Sequence, residues 1–85
     1  MSLITLDRLA PGSCAVLRAL KNEDLMRRRL QELGFVCGTK LQCLGRSPGG
    51  DPSAYLVRGT VIALRQEDCR EILVEEFAKG ESPWD

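Results

Sequence analysis

The cysteines are the residues of this chain best suited to metal or redox chemistry. They lie at Cys14, Cys37, Cys43 and Cys69, so their spacing contains no C-x2-C pair, and the chain has no histidine to complete a site. Cys43 falls on the apolar phase of a predicted strand, and Cys14 begins another. We therefore predict small buried or half-buried side chains and no metal site, with a Fe²⁺- or Zn²⁺-binding, iron-delivery protein as the alternative.

Groups for catalysis are also scarce. Nucleophilic Ser/His/Asp and Cys/His arrangements both require a histidine. The glycines of SPGGDP lie between predicted strands, so they lack the helix N-terminus that binds phosphate. Asp51 is the only acid in that loop, and one carboxylate does not form an acid–base pair. The sequence therefore predicts a protein that is not an enzyme and needs no cofactor.

The loop itself has an unusual composition for a hairpin connection. Pro48 presets a turn, and Gly49 and Gly50 permit positive φ. Pro52 restricts Asp51 to extended backbone, so the loop is restrained at both ends. Two interpretations stay open. The loop could simply turn a corner while Asp51 accepts hydrogen bonds from nearby backbone N–H groups, or it could present a rigid surface to a partner.

Charge and aromatic content argue against nucleic acid as a partner. Lys+Arg and Asp+Glu both number 12, so the chain has no net charge to attract a polyanion. The arginine triplet of residues 27–29 cannot share one helix face, and only Arg28 points directly away from the apolar side. Oligonucleotide-binding barrels stack bases on aromatic side chains, and this chain has four aromatic residues. We expect at most weak, salt-sensitive association with nucleic acid.

Length and composition predict one small globular domain. The chain has 85 residues, of which 44% are hydrophobic and 28% charged. Residues 1–66 carry ten basic and five acidic side chains, whereas residues 67–85 carry two and seven, which indicates either a self-complementing molecule or a charged partner. The start MSLITLDRLAPG lacks the features of a signal peptide, and no apolar stretch has the length of a membrane span. We expect a cytoplasmic protein without membrane insertion.

The clearest predicted element is a helix that follows a first strand at residues 14–20. Asn22 is suited to the N-cap position, and Met26, Leu30 and Leu33 form one apolar stripe. Gly34 is placed to end the helix in the left-handed conformation. The next residue, Phe35, is then expected to pack back onto Leu30.

After this helix the pattern changes to that of strands. Strands are predicted at residues 38–46, 54–58, 60–65 and 72–76, with Gly59 at a reversal and a helical turn in QEDCRE. The prediction is thus a mainly β fold with about five short strands and one α-helix inserted after the first strand. A small, strongly bent barrel would protect such short strands from exposed edges.

Two separated blocks resemble one known family. LQELGFVCGTKLQCL is similar to the RL-x-x-LG-x-x-x-G element of the ferrous iron transport protein A (FeoA) family, and SPGGDPSAYLVRGTVIALR is similar to its P-x-GDP…v-x-G-x-x-iaLR block. The order and spacing agree from about residue 3 to residue 76. The resemblance implies an SH3-like barrel at residues 1–77, followed by a short tail at residues 78–85 that contains Trp84.

The resemblance also implies a function. FeoA proteins are small cytoplasmic accessories of the membrane ferrous iron transporter, which carries a GTP-hydrolysing domain on its cytoplasmic side. The same module occurs in some metal-dependent transcriptional repressors, but here no helix-turn-helix pattern accompanies it. A free-standing regulator that binds the transporter and modulates transport is therefore favoured. The pattern predicts neither an oligomeric state nor the direction of regulation.

A docking surface is expected where the backbone is held rigidly. The first candidate is the helix end with Arg28, Leu33, Gly34 and Phe35. The second is the loop at residues 48–52, which comprises Pro48, Gly49, Gly50, Asp51 and Pro52. If neither surface binds, the acidic end with Glu71, Glu75 and Glu76 becomes the candidate.

Overall fold

Antiparallel strands dominate the computed structural model, which describes residues 2–77. The expectation of a mainly β fold with an inserted helix is confirmed, as is the helical turn in QEDCRE. The elements in chain order are β1 (Ser2–Thr5), a 3-10 turn (Leu6–Arg8), β2 (Cys14–Leu20), α1 (Asp24–Glu32), β3 (Lys40–Arg46), β4 (Ser53–Val57), β5 (Thr60–Leu64), α2 (Gln66–Cys69) and β6 (Ile72–Glu76). In this described part, no helix is long and apolar enough to cross a bilayer.

The strands form one sheet in the order β1-β6-β2-β3-β4-β5. Side chains alternate between the core and the outside, most regularly in β4, where Ser53, Tyr55 and Val57 are buried. The sheet curves over a single core and keeps β1 and β5 as its two edge strands. The core consists of Leu6, Leu9, Ala15, Leu17, Leu30, Phe35, Leu41, Cys43, Tyr55, Val57, Ile62, Leu64, Cys69, Ile72 and Val74.

Strand β1 is absent from the sequence-based prediction, which contained five strands instead of six. Its four residues pair antiparallel with β6, with Ile4 opposite Val74. Ser2 and Leu3 are exposed, so β1 lacks the regular alternation by which a strand is recognised. The extended conformation of β1 depends on pairing with residues about seventy positions away, and no local sequence pattern encodes that pairing.

The start of α1 also differs from the prediction. Glu23 and not Asn22 occupies the N-cap position, and it makes no side-chain capping bond. Asn22 is instead buried and donates from Nδ2 to the Asp68 carbonyl at 3.1 Å, which ties the helix start to α2. The predicted apolar stripe holds for Leu30, which is buried, whereas Leu33 is 49% exposed.

The end of α1 agrees with the prediction. The Phe35 N–H donates to the Leu30 carbonyl at 2.9 Å, and the Gly34 N–H donates to the Gln31 carbonyl at 3.0 Å. These are the two hydrogen bonds of a Schellman motif, in which the glycine takes a positive φ, here 109°. Phe35 and Leu30 are both buried in the core.

Gly34 also lies against the turn between β4 and β5. This turn has two residues, Arg58 and Gly59, with φ values of 52° and 81°, as a type I′ hairpin requires. A Cβ atom on Gly34 would lie 2.8 Å from Cδ of Arg58. The helix end therefore packs against the Arg58 side chain, which must move to admit a side chain at position 34.

We predict that Gly34→Val destabilises the fold by about 2 kcal/mol or more and Gly34→Ala by about 1–2 kcal/mol, because both combine left-handed backbone strain with the Arg58 contact. Urea denaturation measures the change. Gly12→Ala is the control, since Gly12 has φ of 89° and open space around the position of a Cβ. If Arg58→Ala in the same chain does not reduce the excess cost of Gly34→Ala over Gly12→Ala, the contact contributes nothing.

Candidate partner-binding surface

The SPGGDP loop closes the hairpin between β3 and β4. The Gly50 N–H donates to the Ser47 carbonyl at 2.7 Å, and the Ser47 N–H donates to the Pro52 carbonyl at 3.0 Å. The Asp51–Pro52 peptide bond is cis, and Gly50 has φ of 85°. The loop is therefore closed at its base by its own backbone, in keeping with the restraint that its prolines predict.

Gln66 anchors this loop to α2. Its backbone N–H donates to Oδ1 of Asp51 at 3.1 Å, and its Nε2 donates to the Gly50 carbonyl at 3.3 Å and lies 3.5 Å from Oγ of Ser53. Asp51 thus satisfies one of the free N–H groups at the start of α2. Asp51 accepts a backbone hydrogen bond, as the first interpretation of the loop expects, from a donor 15 positions along the chain, and this bond is equally compatible with a loop presented to a partner. Sequence analysis missed Gln66, since nothing in QEDCRE indicates contact with the loop.

A shallow groove lies beside the loop on the outer face of β3, β4 and β5. It has a volume of about 400 Å³ and is lined in part by Leu44, Pro52, Ala54 and Ala63. Leu44 is 44% exposed, and on the same face Val61 is 63% exposed. The groove is therefore a mostly apolar recess with the rigid loop along one side.

The two predicted docking features lie at opposite ends of β4. The loop precedes Ser53, whereas the end of α1 packs against the turn that follows Val57. Four residue steps of extended strand separate these points by about 13 Å. The structure therefore does not merge them into one small patch, and a partner that contacts both must span the length of β4.

The residues of the helix end have different roles. Arg28 is exposed and Leu33 is 49% exposed, so both are accessible to a partner. Phe35 has no exposed surface, and Gly34 lies beneath Arg58. In the free protein the accessible side chains of the helix end are therefore those of Arg28 and Leu33, while Phe35 and the half-buried Gly34 position them.

The cysteines do not converge. Cys37 is exposed and Cys14 is half-buried, whereas Cys43 and Cys69 are buried. Between residues 2 and 77, no group of three His, Cys, Asp or Glu residues is placed to hold a metal ion. The acidic end is partly neutralised within the molecule, because Glu75 Oε1 lies 2.7 Å from Nε of Arg18.

The buried thiols are held in their neutral form. Burial raises the pKa of the Cys69 thiol to about 11, the largest effect on it, and its Sγ lies 3.5 Å from the hydroxyl of Tyr55. Burial also raises the pKa values of Cys43 and Tyr55. Because the thiolate is the reactive form, Cys43 and Cys69 are structural groups.

Because the pKa of Cys69 is raised in the folded protein, the stability of the fold decreases with rising pH in the alkaline range. The unfolded thiol ionises near 9.0, so the contribution of Cys69 is fully present below pH 9 and is lost as pH rises toward 11. We predict that the unfolding free energy falls more steeply in this range for wild type than for Cys69→Ala. Urea denaturation at several pH values tests this, with Cys37→Ala as the exposed control. Equal slopes for wild type and Cys69→Ala would contradict the prediction.

Comparison with known proteins identifies relatives along most of the chain. The FeoA domain family matches residues 4–76. The Fe(2+) transport protein A/Fe(2+) transporter FeoB fusion protein of Porphyromonas gingivalis is 33% identical over 70 residues, which are 82% of this chain and 8% of that protein. This chain therefore spans only a small part of that relative.

Two solved structures show the same fold. The FeoA protein of Chlorobium tepidum is 32% identical, with a TM-score of 0.85 over 94% of this chain and 76% of that chain. The Stenotrophomonas maltophilia FeoA complexed with zinc, described as a prokaryotic SH3 domain protein, is 33% identical, with a TM-score of 0.77 over 85% of this chain and 89% of that chain. The described residues therefore have the SH3-like fold, and the chain belongs to the FeoA family, which takes part in ferrous iron transport.

Proposed function

We propose that this protein is a non-enzymatic, cytoplasmic accessory that binds the cytoplasmic, GTPase-bearing region of a membrane ferrous iron transporter and modulates transport. The observation that carries the proposal is the fusion in Porphyromonas gingivalis, whose name joins an Fe(2+) transport protein A and an Fe(2+) transporter. Fusion holds two modules at high effective concentration, so it favours modules that act on each other. Where the two modules are separate proteins, the same contact must be made through the surface of this domain.

The structure offers two candidate contact regions for this partner. One comprises Arg28 and Leu33 on α1, with the end of the helix positioned by Gly34 and Phe35. The other is the loop at residues 48–52, which the prolines restrain and Gln66 anchors. Rigid features lose little conformational freedom on binding, which supports affinity from a modest area.

We predict that Arg28→Glu and Gly49→Val each weaken transporter binding several-fold while the melting temperature changes little. Arg28 is exposed, and a Cβ on Gly49 would have no neighbour within 4 Å. Asp51 is left unchanged because its carboxylate anchors the loop, and its removal would cost about 1 kcal/mol of stability. Binding is measured by capture of the detergent-solubilised transporter on the immobilised protein, followed by affinity determination.

The exposed Arg8 of the 3-10 turn supplies the matched control, because Arg8→Glu makes the same change in charge elsewhere. A transporter without its cytoplasmic domain should not be retained. If wild type fails to retain the intact transporter, the proposed function is wrong. If wild type retains the transporter and the Arg28→Glu and Gly49→Val variants bind it equally well, the proposed contact regions are wrong.

The rival function is metal binding, for which the zinc complex of the Stenotrophomonas maltophilia protein is the relevant precedent. We predict that the reduced protein binds Fe²⁺ and Zn²⁺ no more tightly than about micromolar, because the cysteines and carboxylates of residues 2–77 do not converge. Isothermal titration under anaerobic conditions measures this. A stoichiometric nanomolar site that is lost when two cysteines are replaced would contradict it.

A further inference from the structure

One edge of the sheet is open along β5. This strand pairs with β4 from Ser53 opposite Leu64 to Val57 opposite Thr60. On its other side, no strand within residues 2–77 pairs with it. Every second residue of β5 therefore directs its backbone N–H and C=O groups away from the sheet.

The turn geometry identifies these residues. A two-residue type I′ turn places a hydrogen-bonded pair next to it, here Val57 and Thr60. Hydrogen-bonded and non-hydrogen-bonded pairs then alternate along the ladder. The outward groups consequently belong to Val61 and Ala63. Within the described residues, no loop or cap backbone hydrogen bond reaches either of them.

The sequence of β5 lacks the features that usually prevent an edge strand from pairing with another chain. Edge strands of soluble proteins are usually blunted by lysine, proline, a bulge or a covering loop. Thr60–Leu64 contains no charged residue and no proline, and its register with β4 is continuous. The side chain of Val61 is 63% exposed. Such an edge is suited to pairing with an additional strand.

The charges around β5 specify the chemistry of that strand. Arg58 precedes β5 and Arg65 follows it, and both are exposed. The segment from Ser53 to Arg65 contains no acidic residue, so the two arginines are the charges nearest to the strand, with Asp51 and Glu67 each lying two positions beyond this segment. An incoming strand with carboxylates at both ends would complement this surface, whereas a basic one would be repelled.

We infer that β5 binds an extended segment of a partner protein as a seventh strand, with an apolar middle and acidic residues at both ends. The outward groups of Val61 and Ala63 donate and accept its backbone hydrogen bonds. Side chains on its outer face reach the groove lined by Ala54, Ala63 and Pro52. The inference rests on the proposed function for the identity of the partner, which is the cytoplasmic region of the transporter.

A second copy of this chain fits the edge less well. Two β5 strands paired around a two-fold axis at Ile62 would place Val61 opposite Ala63 in hydrogen-bonded pairs. The same register sets Arg58 of one copy opposite Gln66 of the other, one position away from both Arg65 and Glu67. A second copy thus offers Arg58 an arginine as near as a glutamate, whereas a strand with carboxylates at both ends offers only complementary charge. We therefore expect an acidic segment of another protein to bind this edge more tightly than a second copy does.

The first test changes the edge in the complete chain. Ala63→Pro removes an outward N–H without removing a bond to β4, and Arg65→Glu reverses one of the flanking charges. We expect each to weaken capture of the solubilised transporter at least tenfold. Ala63→Ser changes the same position but keeps the N–H, so it should bind like wild type, and Arg70→Glu makes the charge change of Arg65→Glu at another exposed arginine. Thermal melting establishes whether the variants are folded. If Ala63→Pro is unfolded, Arg65→Glu still tests the edge.

The second test measures binding of a peptide to the β5 edge and does not require the transporter. The probe is an eight-residue peptide of alternating valine and threonine with glutamate at both ends, compared with the same peptide ended by lysine. In amide hydrogen-exchange measurements by NMR, the glutamate-ended peptide should slow exchange at Val61 and Ala63 at least tenfold. The lysine-ended peptide should not do so at the same concentration.

The two tests separate failure of this inference from failure of the proposed function. If the transporter binds but the edge variants bind like wild type, the inference is wrong and the proposed function stands. If only the glutamate-ended peptide binds, the edge is correct and the transporter is the wrong partner. If the peptide leaves Val61 and Ala63 unprotected, or if these amides are protected in a dimer of the free protein, the inference is overturned.

Discussion

The position of β6 between β1 and β2 is the constraint on which the rest of the structure depends. Strand β6 is the last described strand, and it pairs with both β1 and β2. The short helix α2 precedes it directly in the chain. The Lys21 N–H donates to the Glu71 carbonyl, and Asn22 donates to Asp68, so this region also holds the start of α1. Through Gln66, α2 fixes the SPGGDP loop. The helix and the loop are thus both positioned by one long-range strand pairing.

This dependence explains which features could be predicted from the sequence. The end of α1 was predictable because the Schellman motif is encoded within a few residues, by Gly34 and by the apolar pair of Leu30 and Phe35. The N-cap was not, because the buried Asn22 donates to a carbonyl 46 positions away, and this bond competes with local capping. Strand β1 was missed for the same reason. Local signals determine where elements end, and distant pairings determine which marginal elements form.

The candidate surface was predictable to a similar extent. The prolines and glycines of the loop indicate its restraint, and the two quoted blocks indicate the FeoA family to which the chain belongs. The anchoring by Gln66, the burial of Phe35 and the separation of the helix end from the loop all depend on how distant elements pack. The open edge of β5 is also a property of strand order, since TVIAL has the same sequence pattern whether or not a neighbour covers it.

Within residues 2–77, recognition must suit a surface on which Phe77, half-buried, is the one aromatic side chain that is not fully buried. Tyr55 and Phe35 have no exposed area, so neither can supply the aromatic anchor on which many interfaces depend. A strand edge offers another source of affinity, because backbone hydrogen bonds require no particular side chain and flanking arginines supply selection by charge. Arg58 and Arg65 flank β5 and are both exposed, whereas Glu75 on β6 is engaged by Arg18. A chain without net charge can therefore still select a partner, since two exposed arginines lie at the two ends of one open strand.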